Sequence, residues 1–202
     1  MLPQRKKEVT ASTFFKILGI FILALGIIIF LKIYFPVAKE EVVYRFTSHS
    51  PATQSPSPID PEFSIVIPRL GINTKVIKNV DPYNSSEYQV ALTHGVAHAK
   101  GSALPGFSGN IFIFAHSAAD LFQANRFNAV FYLINKLETG DSIDLYFQSS
   151  KYTYTVSDKK IVKGSDLNYL TNNSINKQSL TLMTCWPPGT TLNRLIILAN
   201  RP

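Results

Sequence analysis

The sequence predicts a mostly-β domain, a closed or nearly closed barrel rich in antiparallel strands with a few short helices, preceded by one transmembrane helix. Three observations support this fold class. An uncharged apolar stretch lies near the N-terminus, a Ser/Thr/Pro-rich segment follows it, and the chain from Glu62 onward consists of short β-branched and aromatic runs separated by turn residues. With 202 residues, 46% hydrophobic and 16% charged, we expect one folded domain with an appendage.

The N-terminal apolar stretch is long enough to cross a bilayer. Residues 17–31 carry no charge, and the stretch widens to residues 14–38 when Lys16 and Lys32 extend their ammonium groups outward. A bilayer core requires roughly 20 mostly apolar residues. A cleaved signal peptide is the alternative, but no clear small-residue cleavage site follows the stretch, so a retained anchor is favoured.

Basic residues ahead of the span set its expected orientation. Because cytoplasmic flanks are enriched in Lys and Arg, we expect residues 1–13 to lie inside the cell and everything from Lys39 onward outside; these flanking residues are Arg5, Lys6 and Lys7. Residues 39–61 are predicted to be an extracellular tether, since Thr47–Pro61 holds four prolines and favours an extended spacer. An arm packed on the domain is the less favoured alternative.

Six apolar runs predict the strands of the domain at residues 62–202. They read FSIVIPRL, NIFIFAH, SIDLYFQ, KYTYTVSDKKIV, SLTLMTC and RLIILAN. The KYTYTVSD segment alternates polar and apolar residues, as an antiparallel strand with one solvated face does. Apolar residues at helical spacing predict a helix over Asn125–Leu137, and DLNYLTN predicts a short helical turn.

Charge and residue spacing exclude several function classes. The net charge of +7 is not organised as basic residues interleaved with aromatics, so we expect no nucleic-acid partner. One cysteine and four histidines do not form a zinc-binding spacing, and no phosphate-binding glycine-rich loop is present. We therefore expect no metal and no cofactor.

Cys185 is the only cysteine, and it ends the predicted SLTLMTC strand. It cannot form an internal disulfide, so it is either a buried inert residue or a nucleophile, and the cysteine alone favours the first. Arg194 begins the next predicted strand. If the two strands are neighbours, both side chains reach the same rim, where a cation favours the thiolate and a guanidinium can donate to an oxyanion.

A nucleophilic thiol also needs a proton partner. His116 ends the NIFIFAH strand and is the first candidate, because a strand-end histidine can face the same rim as Cys185. His94 and His98 lie in the loop-rich segment LTHGVAHAKGSALPG, and His49 lies in the tether.

Three ordered motifs resemble those of the sortase family. TLMTC, followed after a gap of eight residues by RLIILA, is similar to the family signature of a cysteine and an arginine on successive strands. GVAHAKGSALPGFSGNIFIFAHS resembles the family segment that ends in the catalytic histidine, and RFNAVFYLINKLETGDSIDLYF resembles the helix, turn and strand that follow it. The likeness covers nearly all of residues 62–202.

The resemblance implies a β-barrel of about eight strands that acts as a membrane-anchored cysteine transpeptidase on the outside of a bacterial cell. It implies cleavage of an LPxTG-like C-terminal sorting signal between Thr and Gly through a thioester, and transfer to an amine such as a peptidoglycan precursor or a pilin lysine. Cys185 would attack the threonine carbonyl, Arg194 would hold the oxyanion or the peptide, and His116 would transfer protons. His98, Thr184 and Trp186 are further candidates for substrate binding, with a structural role as the alternative for His98 and Trp186.

Two other functions compete with this one, and the subfamily stays open, with class D or E as the nearest candidates. An L,D-transpeptidase is also an extracytoplasmic Cys/His acyltransferase, but in that class the histidine lies close before the cysteine, whereas His116 and Cys185 are 69 positions apart (185 − 116). A membrane-tethered binding module with an inert cysteine is the non-enzymatic alternative.

Overall fold

The computed structural model describes residues 11–47, 57–117, 130–166 and 177–201. Its first element is helix α1, Ala11–Thr47. Within the described residues, Thr13–Lys32 forms the one helical stretch whose length and composition suit a membrane crossing, and its side chains are exposed. The helix is therefore consistent with a transmembrane anchor. It continues to Thr47, so the first part of the predicted tether, residues 39–47, is helical.

The prediction of a closed β-barrel is confirmed. Its strands are β1 Phe63–Ile67, β2 Ile72–Val80, β3 Val96–Ala99, β4 Gly109–Phe114, β5 Ser142–Phe147, β6 Ser150–Lys163, β7 Gln178–Trp186 and β8 Asn193–Asn200. They pair in the order β1-β2-β3-β4-β7-β8-β6-β5, and β1 also pairs with β5 to close the barrel. The β2–β3 and β4–β7 pairs are parallel and the other pairs are antiparallel.

Alternate residues of each strand fill the barrel interior. On β7 the inward residues are Leu180, Leu182 and Thr184, of which the two leucines have no exposed surface. Register pairs them with the inward residues of β8, where Leu182 lies opposite Ile197 and Thr184 opposite Leu195. The remaining residues of β7 point to the outer face, because successive side chains of a strand alternate between faces.

The helix predicted over Asn125–Leu137 is found in part, as a 3-10 helix shorter than predicted. Residues 125–129 lie outside the described residues, and Tyr132–Lys136 forms a short 3-10 helix. The Nζ of Lys159 donates to the carbonyl oxygens of Asn135 (2.7 Å) and Leu137 (3.0 Å), which satisfies two carbonyl groups at the end of this helix. Most of the turn predicted in DLNYLTN also lies outside the described residues.

Four elements were not predicted from the sequence: β2, β3, helix α2 (Ser85–Leu92) and a 3-10 helix (Pro68–Leu70) at the end of the predicted FSIVIPRL strand. A register shift in β2 between Ile77 and Val80 breaks its alternation, and β3 has only four residues. Asn84 caps helix α2: its side-chain oxygen accepts the backbone N–H of Glu87 (3.3 Å). This Asn-x-x-Glu spacing is an N-terminal capping signal that the sequence does contain.

The end of the predicted tether is bonded to the barrel. Asn73 of β2 donates to the carbonyl oxygen of Ser57 (2.8 Å) and accepts from the N–H of Ile59 (3.0 Å). Lys75 forms an ion pair with Asp60 (2.8 Å), and this hydrogen bond lowers the pKa of the Asp60 carboxyl. Residues 57–61 are thus a packed arm, the alternative less favoured from the sequence, and the folded domain begins ahead of Glu62.

Candidate active site

The β7–β8 hairpin brings Cys185 and Arg194 together. They are direct partners in the antiparallel register, so their side chains leave the sheet on the same face. Directly opposed residues in such a pair have Cβ atoms about 4.5–5.5 Å apart. This face is the outer one, since Thr184 and Leu195, the neighbouring pair, point inward. Cys185 is half-buried, so its thiol is not sealed in the core.

The guanidinium of Arg194 is held by the hairpin itself. Its Nη1 donates to the carbonyl oxygens of Thr191 (3.1 Å) and Asn193 (3.0 Å). Gly164, just after β6, lies against the same group: a Cβ at this position would stand 3.3 Å from that Nη1 atom. These contacts hold the guanidinium at the turn between β7 and β8 and use one of its three nitrogens.

The parallel pairing of β4 with β7 carries His116 to the same row. Phe114 is the register partner of Met183, and the Ala115 N–H donates to the Met183 carbonyl oxygen (3.2 Å). His116 and Cys185 each lie two residues beyond this pair. β4 ends at Phe114, and if its register is continued to residue 116, the imidazole would lie next to the thiol on the outer face; His116 itself is half-buried.

A row of three functional groups follows from these two pairings: imidazole, thiol and guanidinium, on neighbouring strands of one barrel wall. A fixed cation beside a thiol favours the thiolate. An imidazole can transfer protons, and a guanidinium can donate hydrogen bonds to an oxyanion. The row can therefore carry out nucleophilic acyl transfer. The adjacent row on the same face is apolar and contains Phe114, Met183 and Ile196.

Thr184 is not on this face, which contradicts its prediction as a substrate-binding residue. Its side chain points into the barrel and is 2% exposed. The hydroxyl donates to the Ala115 carbonyl oxygen (2.9 Å), the residue just before His116. Thr184 therefore ties the end of β4 to β7 beside the site, a structural contact that supports the position of the imidazole.

His98 is also buried, so substrate contact is ruled out for it and the structural alternative applies. Its ring has no exposed surface and lies 5.7 Å from the ring of Phe63. Nδ1 accepts from the Asn79 N–H (3.3 Å), and Nε2 lies 2.9 Å from both the Ala103 carbonyl oxygen and the Ser102 hydroxyl. Burial lowers the pKa of His98, which favours a neutral ring.

Trp186 lies on the side of β7 opposite to Cys185, because the two residues are adjacent on the strand. It is partly buried and packs against the hydrophobic core. The structure thus favours its alternative role as a core or rim aromatic over contact with a substrate on the outer face.

Gln89 of helix α2 is a site residue that sequence reasoning missed. Its Oε1 lies 3.2 Å from Nε2 of His116. The Asn84–Glu87 capping signal could have revealed α2, but only tertiary packing brings the helix to the histidine. In the described ranges, residues 11–47, 57–117, 130–166 and 177–201, no group of three or more His, Cys, Asp or Glu side chains could hold a metal.

Comparison with protein-family models identifies the family to which the chain belongs. The sortase domain model matches residues 65–202, so the chain belongs to the sortase family. Sortases are cysteine transpeptidases that anchor proteins to the cell wall. The comparison with curated proteins finds no match to this chain.

Solved structures of several sortase classes are similar to the chain. Sortase A from Corynebacterium diphtheriae has 28% sequence identity and a TM-score of 0.59, and the match covers 74% of this chain and 62% of that one. Sortase C1 from Streptococcus agalactiae has 27% identity and a TM-score of 0.57, covering 69% and 66%. A Clostridium perfringens sortase D5 transpeptidase has 21% identity and a TM-score of 0.57, covering 85% and 96%. The last supports the fold alone, and the subfamily is not determined.

Proposed function

We propose that the protein is a membrane-anchored cysteine transpeptidase that cleaves an LPxTG-like C-terminal sorting signal between Thr and Gly. The observation that carries the proposal is the row of His116, Cys185 and Arg194 on one outer face of the barrel. Family membership favours this function over an L,D-transpeptidase and over a binding module with an inert cysteine.

The first half of the reaction forms a thioester. The Cys185 thiolate attacks the carbonyl carbon of the signal's threonine, and Arg194 donates hydrogen bonds to the resulting oxyanion. The tetrahedral intermediate collapses as the C–N bond to glycine breaks. His116, as imidazolium, gives its proton to the departing amine, so the C-terminal fragment leaves neutral and the acyl group stays on sulfur.

The second half transfers the acyl group to an amine. Neutral His116 takes a proton from the incoming amine, which attacks the thioester carbonyl. The C–S bond breaks, an amide forms and the Cys185 thiolate is regenerated. The acceptor is an amine such as a peptidoglycan precursor or a pilin lysine, and hydrolysis by water is the slower outcome.

The location follows from the N-terminal segment. Helix α1 anchors the protein in the bacterial membrane as a single span, with residues 1–13 in the cytoplasm and the barrel outside. Secreted proteins with a sorting signal and a terminal apolar tail would meet the barrel on that side.

Cys185→Ala tests the proposal directly. We expect the purified full chain in detergent to lose all measurable cleavage of a fluorogenic LPxTG-like peptide, because the nucleophile is absent, while its melting temperature stays unchanged. Thr155→Ala, an exposed change on β6, is the matched control and should keep wild-type activity. Retained cleavage by Cys185→Ala would contradict the proposal and favour an inert cysteine.

The thioester and the acceptor can be tested in the same assay. Hydroxylamine should accelerate peptide turnover and yield a hydroxamate, since it attacks thioesters but not unactivated amides. Supplying a peptidoglycan stem peptide and a pilin-type lysine peptide as competing amines should give one dominant amide product. Turnover that yields only the free acid with every amine would contradict a transpeptidase.

A further inference from the structure

We propose that Gln89 is a positioning residue that fixes the ring orientation and tautomer of His116, leaving Nδ1 as the nitrogen that exchanges protons during catalysis. This inference rests on the proposed function, because it assigns a role to a residue that acts through His116. It concerns a residue that lies outside all three sequence motifs.

The hydrogen bond defines which nitrogen carries a proton. The amide oxygen Oε1 of Gln89 lies 3.2 Å from Nε2 of His116. A carbonyl-type oxygen only accepts, so Nε2 must be the donor and carry hydrogen. In a neutral imidazole the other nitrogen is then the unprotonated one. Nδ1 therefore takes the proton from the incoming amine, and both nitrogens are protonated in the imidazolium.

Helix α2 is built to hold Gln89 in place. Asn84 caps its first turn, and Glu87 closes the cap by accepting the N–H of Asp81 (3.0 Å). On the sheet side Ala91 and Leu92 are buried, and the ring of Tyr88 meets Phe114 edge-on at 6.3 Å.

Phe114 links the packing of α2 to the row of His116, Cys185 and Arg194. It lies on the outer face two residues before His116, so α2 sits on the sheet next to the site. Gln89 follows Tyr88 directly in the helix. Gln89 is exposed and lies at the edge of the packed face, and its amide oxygen reaches the imidazole from there.

Two substitutions separate the tautomer effect from a general loss of structure. Gln89→Leu keeps a helix-forming side chain of similar size but removes the acceptor, so His116 should populate both tautomers. We expect kcat to fall about fivefold with KM unchanged, the effect of one neutral hydrogen bond. Gln89→Glu keeps an acceptor and adds a negative charge, so it should preserve the Nε2–H tautomer.

The charge also gives the second variant a pH signature. A carboxylate beside an imidazole favours the charged ring, so the His116-dependent limb of the kcat profile should move alkaline by about one unit. The titratable or charged groups on α2 and its ends and on the two neighbouring strands are the same in both proteins; these are Asp81, Glu87, Tyr88 and His94, Cys185 on β7 and Arg194 on β8. The shift can therefore be assigned to position 89.

The measurement uses the full chain in detergent with ring-¹⁵N histidine, which gives only four imidazole signals. His116→Ala identifies the relevant signal, and long-range ¹H–¹⁵N spectra above the pKa report the tautomer. Val90→Ala, an exposed neighbour on α2, is the matched control and should leave tautomer, kcat and pH profile unchanged.

The outcomes distinguish this inference from the proposed function. Wild-type cleavage by His116→Ala would overturn the proton-transfer role of His116 and with it the proposed function. An inactive His116→Ala together with an unchanged tautomer and kcat in Gln89→Leu would overturn only the role of Gln89. A mixed tautomer in Gln89→Leu and a preserved one in Gln89→Glu support the inference.

Discussion

The two faces of strand β7 perform different tasks with adjacent residues. Its inner face, Leu180, Leu182 and Thr184, is 0–2% exposed and packs in the barrel core. Its outer face carries Met183 and the half-buried Cys185. Because side chains alternate strictly along a strand, one register fixes both sets at once. The core thereby holds the reactive thiol at a defined position without enclosing it.

This comparison makes the two faces separable by experiment. Changes to Cys185 and Arg194 should mainly reduce activity, and changes to the inner leucines should mainly lower the free energy of unfolding. Two inner residues make this comparison more precise. Thr184 is bonded to the residue before His116, whereas His98 is a buried histidine that does not reach the site.

Arg194→Lys should have the largest effect on activity after loss of the nucleophile. An ammonium keeps the charge but lacks the forked donors of a guanidinium, and removal of an oxyanion donor lowers kcat by roughly 10²–10³-fold. Steady-state kinetics on the sorting-signal peptide measure this, with the melting temperature as the check on the fold. A wild-type kcat in Arg194→Lys would remove the oxyanion role.

Leu182→Ala should have the largest effect on stability. Leu182 is fully buried between β4 and β8, and truncation of a buried leucine lowers the free energy of unfolding by about 3 kcal/mol. Urea unfolding, followed by the single tryptophan Trp186, measures this. Met183→Ala, on the opposite face and only partly buried, should lower the free energy of unfolding less. A larger loss in Met183→Ala would reverse the assignment of the two faces.

Thr184→Val should affect both properties moderately. The variant removes the donor to the Ala115 carbonyl oxygen, which lowers the free energy of unfolding by about 1 kcal/mol. Because His116 follows Ala115, the imidazole should be held less firmly in this variant, and kcat should also fall several-fold. Thr184→Ser retains the hydroxyl and should recover kcat. Equal kcat in the valine and wild-type proteins would show that this bond serves the core alone.

His98 should contribute a small pH dependence of stability and none of activity. Burial lowers its folded-state pKa below the ordinary 6.5, so the unfolded chain binds more protons in that range. The free energy of unfolding should therefore be highest above about pH 6.5 and should fall as the pH drops toward the folded-state pKa. Urea unfolding at pH 7.5 and 5.5 should show a weaker pH dependence in His98→Gln. An identical dependence would mean that other groups cause it.

Much of the site is local in sequence and could be predicted from it. Cys185 and Arg194 are joined by a short turn between two apolar runs, so their pairing needs only one hairpin. The family motifs identified His116 as well, although its position depends on a parallel pairing between segments 69 residues apart. The short 3-10 form of the helix at Tyr132–Lys136 was not predictable in this way, because it depends on tertiary packing. The burial of Thr184 and His98 was not predictable either, because it depends on which face of the sheet each side chain occupies.

The sequence by itself determined the apolar N-terminal helix, the barrel class, six of the strands and the identity of the thiol, imidazole and guanidinium, because each is written in local composition or in a contiguous motif. Tertiary structure alone decided that α2 reaches His116 through Gln89, that residues 57–61 bind β2, and that His98 faces inward. These arise from contacts between distant segments. Local preferences do not encode such contacts, and only closure of the barrel brings the segments together.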